Sequence, residues 1–204
     1  MKTIVITGPS GSGKTHLSNK LSKLFDNSIV IKTDSYYRDN IIIRFLSLFL
    51  YDIYDRPFSI MKNEVMKTLS SIHNKESLIS FSYYDFKRKR SSKSKIRIDY
   101  KDDDQFLIVE GIFSHRLDLN YEETINILCQ EEKEICFNRR LRRDELERDR
   151  DSREVYKKFN KSWYLYYINA KEYINNNKVM SISSLDNISI NELIIHLQNI
   201  KKNN

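Results

Sequence analysis

Short apolar runs alternate with amphipathic stretches along most of this chain. Thr3–Thr7 is a five-residue apolar run, the length of a strand. Leu17, Leu21 and Leu24 then recur at helical spacing, which predicts a helix over Lys14–Phe25. Ser28–Thr33 reads as a second strand, and Arg38–Asp55 and Ser59–Ile72 read as helices. Leu78–Phe86 and Lys95–Tyr100 alternate apolar or aromatic with polar residues, which predicts a hairpin around a basic loop at Lys87–Lys95. The continuous run Gln105–Val109 has the signature of a strand buried on both faces. Glu123–Cys129 and Val179–Ser183 read as further strands, and Glu131–Asp149, Arg153–Asn175 and Ser189–Lys201 as helices. Strands alternating with helices predict an α/β fold with a mainly parallel sheet. At 204 residues, one domain spanning 1–204 is expected.

Glycine placement sharpens this. The chain has four glycines, and three of them, Gly8, Gly11 and Gly13, fall between the first strand and the first helix. The segment Gly8-Pro9-Ser10-Gly11-Ser12-Gly13-Lys14-Thr15 fits G-x-x-x-x-G-K-[ST], the phosphate-binding loop of P-loop nucleotide-binding proteins. Backbone N–H groups of residues 11 to 15 converge on phosphate in such a loop. Lys14 is expected at the β- and γ-phosphates and the Thr15 hydroxyl on Mg²⁺, with ATP or GTP as donor.

Composition narrows the setting. Cys129 and Cys136 are the only cysteines, with no CxxC, so neither zinc nor a disulfide framework is indicated. Met1–Thr7 runs into the phosphate loop without a cleavage-site pattern, and Ile41–Leu50 is shorter than the ~20 residues of a membrane span. A cytoplasmic protein without membrane segments is expected. The net charge of +7 suits a cleft for polyanionic nucleotides.

No D-x-x-G or N-K-x-D pattern occurs, which argues against a regulatory GTPase. A kinase-like protein holding a small acceptor remains. Asp34 follows the second strand, where ligands of open α/β sheets bind and where a carboxylate can take the acceptor's proton. Glu110 ends the buried run, beside Gly111, and suits Mg²⁺. Arg140, Arg143, Arg148 and Arg150 cluster in a charged helix, as suits the spread charge of a phosphoryl-transfer transition state. Interleaved with Asp and Glu, the same segment also fits a solvated, salt-bridged helix.

Together these segments resemble the uridine kinase family, within the uridine kinase/phosphoribulokinase group. The pieces are Gly8–Thr15, Thr33–Asp39, Tyr54–Pro57, Tyr83–Phe86, Val109–Phe113 and Arg139–Asp151, in family order. The resemblance implies Asp34 as catalytic base, with Lys14 and Arg143 in catalysis. It implies Gly8, Ser10, Gly11, Ser12, Gly13, Lys14, Thr15, Arg143 and Arg148 around the donor. Thr15, Asp34 and Glu110 are the candidate Mg²⁺ ligands, and Tyr37, Tyr84, Arg140 and Arg150 face the acceptor. It also implies a lid at about 139–152, a substrate-side hairpin at about 77–101, and phosphorylation of the 5′-hydroxyl of uridine or cytidine in pyrimidine salvage.

Four positions depart from the pattern. Met61 or a neighbour stands where an Asp usually binds the ribose, and Lys89 where a His often reads the base. Lys158 replaces a usual Gln, and Asp149 a Gly. Alternatives are the same chemistry on another small alcohol, such as another riboside, pantothenate or a sugar phosphate, or a nucleic-acid-binding NTPase using the Lys87–Lys101 cations. A membrane partner is not expected, a nucleic-acid partner is disfavoured, and homo-oligomerisation is left open.

Overall fold

The computed structural model describes all residues except 27, 41, 42, 44, 46–55, 102–104, 120–123, 149, 177, 184, 185, 203 and 204. The described elements run β1 (Thr3–Thr7), α1 (Lys14–Leu24), β2 (Ile29–Lys32), α2 (Lys62–His73), β3 (Leu78–Asp85) and β4 (Arg90–Arg97). They continue with β5 (Leu107–Glu110), β6 (Ile125–Cys129), α3 (Lys133–Arg148), α4 (Ser152–Asn176), β7 (Val179–Ile182) and α5 (Asn187–Lys202). Short 3₁₀ turns follow β2 at Thr33–Ser35, precede α2 at Pro57–Ser59 and follow β5 at Ser114–Leu117.

Five strands form a parallel sheet in the order β2-β5-β1-β6-β7. A parallel sheet needs cover on both faces, and alternation along the strands provides it. Val5, Ile31 and Val109 pack with Val65, Leu69 and Ile72 of α2. Ile4, Ile6, Ile108 and Ile127 pack with Leu17 and Leu21 of α1 and with Ile190, Leu193 and Leu197 of α5. Each fully buried aliphatic side chain contributes roughly 1.5–3 kcal/mol. The register pairs Glu110 with Ile6 on one side and Lys32 on the other, so β1, β2 and β5 end level with one another. The phosphate loop, Asp34 and Glu110 therefore emerge at one edge.

The hairpin differs from the sequence reading. Residues Arg90–Lys95 are not loop but strand: β4 pairs antiparallel with β3 from Leu78↔Arg97 to Asp85↔Arg90. The turn is tight because Asp85 Oδ1 accepts from the backbone N–H groups of Lys87 and Arg88 at 2.9 Å, and Lys89 takes φ 52°. Cations suit this strand because it is a solvent-exposed edge, where charge discourages further pairing. Most of the helix expected at Arg38–Asp55 lies outside the described residues, as do Tyr54, Asp55 and Asp149. No helix among the described residues is long and apolar enough to cross a membrane.

Candidate active site

Gly13 precedes α1 with φ 91° and offers no capping side chain, and the first turn of α1 holds no acidic residue. The positive end of the helix and its N–H groups are left for an anion. A Cβ on Gly11, at φ 87°, would stand 2.1 Å from the carbonyl oxygen of Cys136, in the first turn of α3. Only glycine lets the loop and that helix approach so closely. Lys14 is buried and donates to the Pro9 carbonyl at 2.9 Å, curled over the loop.

Two carboxylates face this loop. Glu110 Oε1 accepts from the Thr15 hydroxyl at 3.0 Å, and Asp34 Oδ1 accepts from the Ile112 N–H at 3.3 Å. A Cβ on Gly111 would fall 1.9 Å from Thr33 Oγ1 and 3.0 Å from Asp34 Oδ1, so this glycine lets the ends of β2 and β5 meet. Burial pushes the Asp34 carboxyl above the usual carboxylate range, partly countered by Lys14. Burial also raises Glu110, and the charge of Asp34 adds to it. Such buried oxygens beside a hydroxyl are the hard donor set that Mg²⁺ takes, and a dication there would relieve the crowding of negative charge. Thr15, Glu110 and Asp34 thus fit the ion expected from the sequence.

The arginines cluster as expected, around a residue the sequence reading passed over. Asp144 is fully buried, and four guanidiniums converge on it. Its Oδ1 accepts from Arg143 at 2.9 and 3.1 Å and lies 3.2 Å from Arg148; its Oδ2 accepts from Arg150 at 2.8 Å and lies 3.7 Å from Arg140. Burial alone would raise Asp144, but the guanidiniums, Arg143 foremost, hold it below the ordinary value. Burial and the neighbouring arginines bring Arg148 down to about 10. Arg143 also donates to Ser10 Oγ at 3.3 Å and Arg139 to the Gly11 carbonyl at 3.3 Å, so α3 reaches the phosphate loop with two side chains. The signal for Asp144 was its spacing: arginines four residues before and four after share its helix face.

Ser10, Asp34, Tyr37, Phe86 and Ile112 face Arg140, Arg143, Arg148, Arg150 and Lys158 across a small cavity of about 50 Å³. Phosphate loop, Asp34 and arginines thus meet at one place. Phe86, another residue not singled out from sequence, carries the Arg148 guanidinium 3.9 Å above its ring and meets Tyr37 edge-on at 5.7 Å. Tyr84 does not line the cavity; it is buried behind Tyr37, ring centroids 5.5 Å apart. Met61 and Lys89 do not line it either: Met61 precedes α2 and Lys89 lies in the hairpin turn. Lys158 does line it, ion-paired with Glu154. A larger cavity, about 430 Å³, opens at the opposite end of the strands between Lys2, Met66, His73 and Leu107, away from all these groups.

Known proteins resemble this chain over most of its length. The uridine kinase of Staphylococcus epidermidis is 32% identical over 155 residues, covering 74% of this chain and 72% of that protein. The structure of a kinase from Silicibacter sp. TM1040 superposes with a TM-score of 0.62 at 14% identity, over 84% of both chains. A possible uridine kinase from Bacillus stearothermophilus does so at 0.52 with 16% identity, over 87% of this chain and 88% of that one. These likenesses show the P-loop kinase fold. Residues 3–179 match the phosphoribulokinase / uridine kinase family, most of the chain's length. This chain is a member of that family, a phosphotransferase with an alcohol acceptor.

Proposed function

We propose that this protein is a nucleoside kinase that transfers the γ-phosphate of ATP or GTP to the 5′-hydroxyl of uridine or cytidine, in pyrimidine salvage. The observation that carries the reading is the cavity in which Asp34 faces four guanidiniums beside the phosphate loop. Relatives named uridine kinase support the nucleoside acceptor.

In this reading the loop N–H groups and Lys14 hold the β- and γ-phosphates. Thr15 and Glu110, with Asp34 beside them, would hold Mg²⁺, which would supply neutralisation of the phosphate charge. Asp34 takes the hydroxyl proton as the acceptor oxygen bonds to the γ-phosphorus; the bond to the bridging oxygen breaks and the nucleoside diphosphate leaves. Arg143 and Arg148 balance the charge on the transferring group, while Tyr37, Arg140 and Arg150 border the acceptor. The test is nucleoside-dependent ADP release with uridine and cytidine. Release that Lys14→Ala abolishes supports the reading, and no release with either nucleoside overturns it.

A second reading is favoured by one observation: Lys158 adds a fifth cation to the cavity wall. The same chemistry would then act on an alcohol with an anionic group, such as a sugar phosphate. Competition between uridine and phosphorylated or carboxylated alcohols separates the two.

A further inference from the structure

Four guanidiniums are gathered around one carboxylate in a largely buried place. The side chain of Arg140 is 3% exposed, Arg148 14%, Arg150 18% and Arg143 35%. Lys158, at the same cavity, is paired with Glu154 and so leaves that carboxylate to itself. Cations packed this way repel one another, and in the absence of nucleotide something must keep them from splaying into water.

Asp144 is the group in contact with all four. Two of the contacts are not explained by helix spacing. Arg143 is its immediate neighbour and curls back to give two hydrogen bonds to Oδ1. Arg150 lies beyond the end of α3, and its chain returns so that its N–H reaches the Asp144 carbonyl at 3.2 Å while its guanidinium reaches Oδ2. An ordinary surface ion pair is exposed and worth little; this carboxylate is wholly enclosed. Arg143 keeps a second bond to Ser10 in the phosphate loop, so the gathered cations already border the place where phosphate binds.

We propose that Asp144 is a positioning residue: an internal counter-anion that holds Arg140, Arg143, Arg148 and Arg150 together at the phosphate loop until substrate phosphates share them. It touches neither donor nor acceptor and acts through the arginines. The proposal rests on the kinase reading for its effect on catalysis, but its electrostatic half stands apart from it.

The test uses the full chain and Asp144→Asn, which keeps the shape and removes the charge. Melting curves in chloride and in sulfate at equal ionic strength report the electrostatic half. The variant is expected to melt lower than wild type in chloride, and sulfate, a divalent stand-in for phosphate, is expected to restore more of the loss than it adds to wild type. A loss that sulfate leaves untouched means that Asp144 only satisfies hydrogen bonds, and overturns the proposal. Kinetics report the other half: kcat falls about tenfold or more, as for a lost electrostatic contributor, while the acceptor KM changes less than about threefold. A wild-type kcat overturns it as well.

Should Asp144→Asn fold poorly, the double variant Asp144→Asn with Arg150→Gln removes one cation along with the anion. A counter-anion role predicts that the double variant is more stable than Asp144→Asn alone. Additive losses predict the reverse and overturn the proposal. None of the melting arms needs activity, so an inactive wild type counts against the nucleoside kinase reading and not against this one.

Discussion

The Thr15 hydroxyl donates to Glu110 Oε1 at 3.0 Å, joining residues 95 positions apart in the chain. If the pair holds the metal, Glu110→Gln should raise the Mg²⁺ concentration for half-maximal activity by about tenfold or more, as loss of a ligand or its orienting partner does. A Mg²⁺ titration at fixed ATP checks this. An unchanged midpoint would assign Glu110 to structure alone.

Asp34→Asn should lower kcat by about 10²-fold, the usual contribution of a positioned base. ATP affinity by calorimetry should hardly move. A collapse of ATP affinity would instead make Asp34 chiefly a metal ligand.

Gly11→Ala should damage the loop itself. Its Cβ would sit 2.1 Å from the Cys136 carbonyl oxygen, at a φ of 87° that side chains resist. A residue forced into such a conformation costs about 1–3 kcal/mol before the clash is counted. Thermal melting should show the loss, together with weaker ATP binding. Normal stability with normal binding would mean that α3 moves away from the loop at little cost.

His115 should make stability depend on pH. It is buried, shares a 2.9 Å hydrogen bond with Thr7 Oγ1 through Nδ1, meets the Tyr166 ring edge-on and lies beside the tilted ring of Tyr173. Burial lowers its pKa from 6.5 to about 4, so between these values the unfolded chain takes up a proton that the folded one refuses. Its contribution is therefore fully present above pH 6.5 and is lost as pH falls toward 4, by about 3 kcal/mol in all. Buried Asp34 and Glu110, with raised carboxyls, act in the opposite sense, so the comparison must be with His115→Gln. Denaturant melts across this window should show the variant losing less stability on acidification than wild type; parallel curves would remove His115 from the account.

The parts legible in the sequence were those whose chemistry is local. The phosphate loop needs closely spaced glycines between a strand and a helix, and Asp34 and Glu110 needed only to end strands. What escaped depends on how the chain folds back on itself. Asp144 carries a signal in Arg140 and Arg148, four residues to either side, but its contact with Arg150 exists only because the chain turns back beyond α3. The strand Arg90–Arg97 lacks apolar alternation; the backbone of β3 and side-chain ties hold it, Ser91 N–H to Asp39 at 2.7 Å and Lys93 to Glu64. Lys89 showed the converse error: its sequence offset suggested a pocket residue, while Asp85 turns the chain so that Lys89 sits at the hairpin's end.

The two-stranded hairpin stands apart from the parallel sheet and leans on α2, where Thr68 Oγ1 donates to the Ser80 carbonyl at 3.2 Å and accepts from the Tyr36 hydroxyl at 3.1 Å. The phosphate machinery is built on the other sheet. Inheritance of the two can therefore be uncoupled. The cavity meets the hairpin only through Phe86, one residue past β3, while Gly11, Glu110 and Gly111 shape the phosphate side. Substitutions on the exposed face of β4 are therefore expected to leave the loop's geometry as it is, which makes this ribbon the part of the molecule where the sequence can drift most freely.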